Sequence, residues 1–84
     1  MESDSLQARI QHGIAELRAA HPRITECRAT LDRWREGAAE RHSLRLDIRW
    51  PQHQSLVSGP ARDSAEAAVQ AAFDAAVRSL TTHA

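Results

Sequence analysis

Ser43 to Trp50, S-L-R-L-D-I-R-W, alternates apolar and charged residues without a break. In an extended chain Leu44, Leu46, Ile48 and Trp50 point one way, and Arg45, Asp47 and Arg49 the other. A period of two sustained over the whole stretch describes a strand with one dry and one wet face. It reads as the middle strand of a small sheet.

The segment before it repeats the pattern. From Ile24 to Trp34, Cys27, Ala29 and Leu31 share one side, while Glu26, Arg28, Thr30 and Asp32 share the other. Gly37 to Glu40 supplies a short connection, so the two strands form an antiparallel hairpin. Inward residues are odd-numbered in the first strand and even-numbered in the second, which leaves two registers open. One pairs Leu31 with Leu46 and keeps the loop short. The other lengthens the loop but sets Arg28 opposite Asp47 and Glu26 opposite Arg49, the better charge match. Loop length favours the first.

After a turn at Pro51 to His53, Gln54 to Ser58 (Q-S-L-V-S) reads as a short third strand at an edge, closed by Gly59-Pro60. Asp63 or Ser64 can cap a helix from Ala65 to about Thr81, whose stripe is Ala65, Ala68, Val69, Ala72, Phe73, Ala76, Val77 and Leu80. At the other end Leu6, Ile10, Ile14 and Leu17 recur at helical intervals within Ser5 to Ala20. Ser3 or Ser5 can cap this helix, Glu2 and Asp4 suit its positive end, and His21-Pro22 stops it. The fold class is therefore α+β: a two-layer domain over residues 1–84, with a three-stranded antiparallel sheet, two helices on one face, and the order α-β-β-β-α.

The chain has 84 residues, of which 42% are hydrophobic, but 16 of these are alanine, so the core is thin. Domains of this size are marginal, which makes dimerisation an expectation from the start. Lys+Arg and Asp+Glu are 11 each. A neutral chain lacks the overall attraction of a nucleic-acid or anionic-membrane binder, so any such binding must come from a local patch. All the basic residues are arginine, for which codon bias is the simplest account, although arginine also suits bidentate contact with phosphate. Cys27 is a lone cysteine, which rules out an intramolecular disulfide. The start, M-E-S-D-S-L-Q-A-R-I, has neither a basic n-region nor an apolar run, and no segment approaches transmembrane length, so the cytoplasm is the expected location.

Arg28, Arg45 and Arg49 on the wet face form the best local patch for RNA phosphate. They equally suit a ladder of ion pairs with Glu26, Asp32 and Asp47, which is the more economical reading. Arg18 and Arg23 could extend the patch, but Arg18 also suits the negative end of the first helix. Trp34 falls on the wet side and Trp50 on the dry side, and one exposed aromatic does not make a stacking surface. The five histidines show no metal-ligand spacing, Cys27 reads as a small buried hydrophobe, and no nucleophile elbow or glycine-rich phosphate loop is present. A non-enzyme is expected, with no cofactor, metal, membrane or small-molecule substrate.

The segment Ala72 to Leu80, A-F-D-A-A-V-R-S-L, together with two strands, a W-P turn and a short strand before it, resembles the ribosome hibernation-promoting factor and ribosome-associated inhibitor family, also called sigma-54 modulation proteins. I-x-x-C-R-A-x-L at Ile24 to Leu31 also fits the family's isoleucine and valine-rich strand. The resemblance runs from Leu6 onward and implies a cytoplasmic stress-response protein. Such a protein would bind rRNA of the small ribosomal subunit in the tRNA and mRNA channel and regulate translation. The family fold opens with a strand before its first helix, for which Met1 to Ser5 is too short and too polar. That leaves the edge of the 24–34 strand open and predicts a homodimer joined there. The alternative expectation is a degenerate family member acting as a dimeric protein-interaction module. Double-stranded RNA-binding domains share the order α-β-β-β-α, but they need lysines where this chain reads A-R-D-S-A-E.

Overall fold

A computed structural model describes the backbone of residues 2–82 and the side chains of residues 5–80. The elements are α1 (Glu2–Ala20), β1 (Glu26–Glu36), β2 (Ala39–Arg49), β3 (Gln54–Ser58) and α2 (Ala65–Thr82). The sheet is antiparallel in the order β1-β2-β3, so the strand that begins the reading is its centre. This is the α+β fold expected from the alternation.

Leu44, Leu46 and Ile48 of β2 are fully buried, and Leu17, Ile24, Val57, Val69, Ala72, Ala76 and Leu80 close around them. Each large apolar side chain so buried contributes roughly 1.5–3 kcal/mol. Small residues bring α2 close to the sheet: a Cβ on Gly59 would lie 2.7 Å from Ala72 Cβ and 2.8 Å from its Cα. At the helix–helix contact, a Cβ on Gly13 of α1 would lie 2.6 Å from the Phe73 ring. Cys27, Ala29 and Leu31 of β1 are only half-buried, because β1 lies at the margin of the helical layer.

The register is the one that loop length disfavoured: Leu31 pairs with Leu44, Arg28 with Asp47 and Glu26 with Arg49. The strands continue beyond Trp34 and begin before Ser43, so the connection is only Gly37-Ala38, between paired Glu36 and Ala39. Gly37 has φ +61° and Ala38 does not have a positive φ, the pattern of a type II′ hairpin turn, which wants glycine at its first central position. The other register would centre the turn on Ala38-Ala39, where a Cβ opposes positive φ. Gly37 and the cross-strand charges thus select the same pairing.

Three smaller expectations change. α1 reaches Glu2, which places Ser5 inside the helix; the side chains of Glu2, Ser3 and Asp4 lie outside the described residues. Ser64, and not Asp63, caps α2, its Oγ accepting from the Ala67 N–H at 3.2 Å, while Asp63 pairs with Arg41. Val77 is 52% exposed, because the buried stripe of α2 is turned toward Ala75 and away from it.

Beyond Ser58 the third strand gains one residue. Gly59 N–H still donates to Leu44 O at 2.9 Å in step with the β2–β3 ladder, but the next bridge joins His42 to Arg62, each N–H donating to the other's carbonyl at 2.8 Å. The extra residue, within Pro60-Ala61, is a β-bulge. Ser43 Oγ donates to Gly59 O at 2.8 Å beside it.

Candidate nucleic-acid interface

The sheet face away from the helices carries the residues singled out for RNA. Arg28, Arg45 and Arg49 all lie there, at even positions of β1 and odd positions of β2. Each is matched to a carboxylate. Arg28 Nε is 2.9 Å from Glu26 Oε1, and Arg49 Nε is 3.8 Å from Glu26 Oε2, so one carboxylate serves both. Arg49 Nη2 also lies 3.4 Å from Asp47 Oδ2, and Arg45 holds Asp32 through Nε at 2.8 Å and Nη2 at 3.4 Å. Arg41 pairs with Asp63 and donates to Ala61 O at 3.3 Å. The face is a ladder of mutually neutralised charges, each exposed pair worth about 0–1 kcal/mol.

Asp47 is the best supported carboxylate. Gln54 Nε2 donates to its Oδ1 at 2.7 Å, and this bond, followed by the bond and charge of Arg49 and the charge of Arg28, holds its pKa below the usual carboxylate range against the opposing effect of desolvation.

The apolar groups on this face do not form a platform. Trp34, 38% exposed, donates from Nε1 to Glu36 Oε1 at 3.2 Å at the hairpin end, while Leu56, 72% exposed, stands on β3 opposite Asp47. Their cross-strand partners in β2, Arg41 and Asp47, are about 20 Å apart at some 3.4 Å per residue. Trp50 lies against the core, its ring stacked on His53 with centroids 4.2 Å apart.

Arg18 and Arg23 do not extend the patch. Arg18 sits in the last turn of α1, and its charge acts on Cys27 from the helix side of the sheet; burial nevertheless pushes the Cys27 thiol pKa up. Arg23 lines a shallow depression with Trp50 and His53 at the end of the sheet.

A different group of arginines lacks carboxylate partners among the described residues. Arg33 and Arg35 occupy the inward positions of β1 beyond Leu31, where the hairpin runs past the core. Arg33 pairs in register with His42, and His42 bridges to Arg62, which makes a row of three across the sheet on one face. The His42 side chain is only 9% exposed; its Nε2 lies 3.1 Å from Glu40 Oε1, and its Nδ1 is buried without a hydrogen-bond partner. The switch of inward residues from Cys27, Ala29 and Leu31 to Arg33 and Arg35 was a legible signal that sequence reasoning passed over. Arg62 was not legible, because it reaches this face through the bulge.

Among the described residues no three His, Cys, Asp or Glu side chains gather as a metal site, and no helix is long and apolar enough to cross a membrane. No family model, curated protein or solved structure matches the chain.

Proposed function

We propose that this protein is a ribosome-associated factor of the hibernation type, acting in the cytoplasm by occupying small-subunit rRNA and so modulating translation under stress, without chemistry of its own. The observation in its support is the agreement of order and placement. The elements run α-β-β-β-α, and the A-F-D-A-A-V-R-S-L segment lies along α2 with Ala72, Ala76 and Leu80 against the sheet and Phe73 against α1. Pairing of the wet-face arginines makes the interaction weak, and its dependence on salt follows the number of phosphates that the remaining charges can neutralise. Sucrose-gradient sedimentation with stationary-phase ribosomes tests this. Co-migration with small subunits at about 50 mM salt that fades by about 200 mM is expected; absence from every ribosomal fraction at the lower salt overturns the reading.

The open edge of β1 favours a second reading, a homodimeric interaction module. Even-numbered residues of β2 turn their backbone groups toward β3, as the Gly59–Leu44 bond shows, so odd-numbered ones face β1. The N–H and C=O groups of Cys27, Ala29, Leu31, Arg33 and Arg35 therefore point out of the sheet. A two-fold axis at Thr30 would place Arg28 opposite the partner's Asp32, and its own Asp32 opposite the partner's Arg28, a complementary antiparallel join. Light scattering should give twice the 9.3 kDa chain mass, reduced to one by Ala29→Pro, which removes an outward donor without touching the β1–β2 ladder. A monomer at high concentration rejects the dimer.

A further inference from the structure

We infer that the phosphate contacts are made on the helix-side face of the hairpin end, by Arg33, Arg35 and Arg62, and not by the wet-face arginines. The inference rests on the nucleic-acid reading above and names the residues that would carry it.

Two observations support it. First, these guanidiniums are available: all three residues are exposed, none has a carboxylate partner among the described residues, and Arg62 bonds only the neighbouring Ala61 carbonyl, at 3.0 Å. Arg28, Arg45 and Arg49 would each have to surrender an existing ion pair to take a phosphate. Second, they are gathered by the fold. Arg33 and Arg62 flank His42, one strand away on either side, about 4.8 Å per step, and Arg35 lies two residues along β1 from Arg33, about 7 Å. Glu40, opposite Arg35 on the same face, is engaged by His42 Nε2.

The ligand chemistry follows from the donors. A guanidinium offers a planar fork that holds phosphate oxygens bidentately, and several such forks on one face suit successive phosphates of a nucleic-acid backbone. The row carries no exposed aromatic on which a base could stack, since His42 is buried and Trp34 lies on the other face, so the contact assigned to it is with the RNA backbone.

Equilibrium binding to a labelled mixed-sequence single-stranded RNA and to purified small ribosomal subunits, over a salt series, tests this with two triple variants. Arg33→Gln/Arg35→Gln/Arg62→Gln should lower the slope of log affinity against log salt by about 2, at roughly 0.7 per phosphate contact, on either probe. Arg28→Gln/Arg45→Gln/Arg49→Gln should leave the slope unchanged; circular dichroism confirms that both variants are folded. If the second triple carries the loss and the first does not, the inference fails while the nucleic-acid reading stands. Binding to free RNA but not to subunits, with the loss in the first triple, keeps the inference and removes the ribosome from the proposed function. No binding to either probe at about 50 mM salt overturns both.

Discussion

Two glycines show how differently the same residue can be constrained. Gly13 lies inside α1, where alanine would favour the helix by about 1 kcal/mol, yet its added methyl would meet the Phe73 ring. A ring can swing, so Gly13→Ala should cost about 1 kcal/mol net, with overpacking outweighing propensity. Gly59 faces the Cα and Cβ of Ala72 and, at 3.1 Å, the carbonyl of Leu44, and backbone cannot swing. Gly59→Ala should therefore cost about 3 kcal/mol or more. Urea midpoints of the two variants check this; a Gly13→Ala protein less stable than Gly59→Ala would reverse the argument. The inward set Leu44, Leu46 and Ile48 was legible from parity alone, because parity depends only on the chain itself. The roles of Gly13 and Gly59 were not, since they depend on what a distant helix places opposite.

For the elements, the hairpin carries the lesson. Charge matching, Arg28 to Asp47 and Glu26 to Arg49, pointed to the true register, and the argument from loop length went the other way only because the strands were ended too early. The alternation of β1 changes character after Leu31 without stopping, so a search for apolar periodicity loses a strand that is still hydrogen-bonded. The wet-face residues Arg28, Arg45 and Arg49 were located correctly, but their carboxylate partners decide what they can do. The join of β2 to β3 has its own signature in Asp47, whose pKa is depressed chiefly by Gln54. A depressed carboxylate stabilises the fold at neutral pH, and that contribution is lost as pH falls below the ordinary value of about 4 and through the folded-state value. Gln54→Ala should move the Asp47 titration up toward the ordinary range, followed by carboxyl carbon NMR. An unmoved titration would assign the depression to the arginines.

The whole molecule is a thin sandwich: two alanine-rich helices over three strands, held by a small set of large apolar side chains. A domain of 84 residues has about 4–13 kcal/mol of stability at 0.05–0.15 per residue. Leu46→Ala, at the fully buried centre, should cost about 2–5 kcal/mol and lower the unfolding midpoint by roughly 8 °C or more. Thermal unfolding of the variant measures this; a loss under about 1 kcal/mol would mean that the helices collapse into the space. Net neutrality conceals an uneven distribution: Arg28, Arg45 and Arg49 are ion-paired on the outer face of the sheet, while Arg33, Arg35 and Arg62 on its inner face have no carboxylate partner among the described residues. Composition sums over both faces and cannot show it.

The bulge at Pro60-Ala61 is what distributes the last of those charges. In an unbroken ladder Arg62 would fall opposite Arg41, two like charges side by side on the outer face, and Ala61 would sit opposite His42. One inserted residue advances the chain by half a pleat. Arg62 passes to the inner face beside His42, and Asp63 arrives where Arg41 can hold it. The insertion works as a frameshift in the two-letter code of inside and outside: it turns a repulsion into an attraction and delivers the displaced cation to the cluster at the hairpin end.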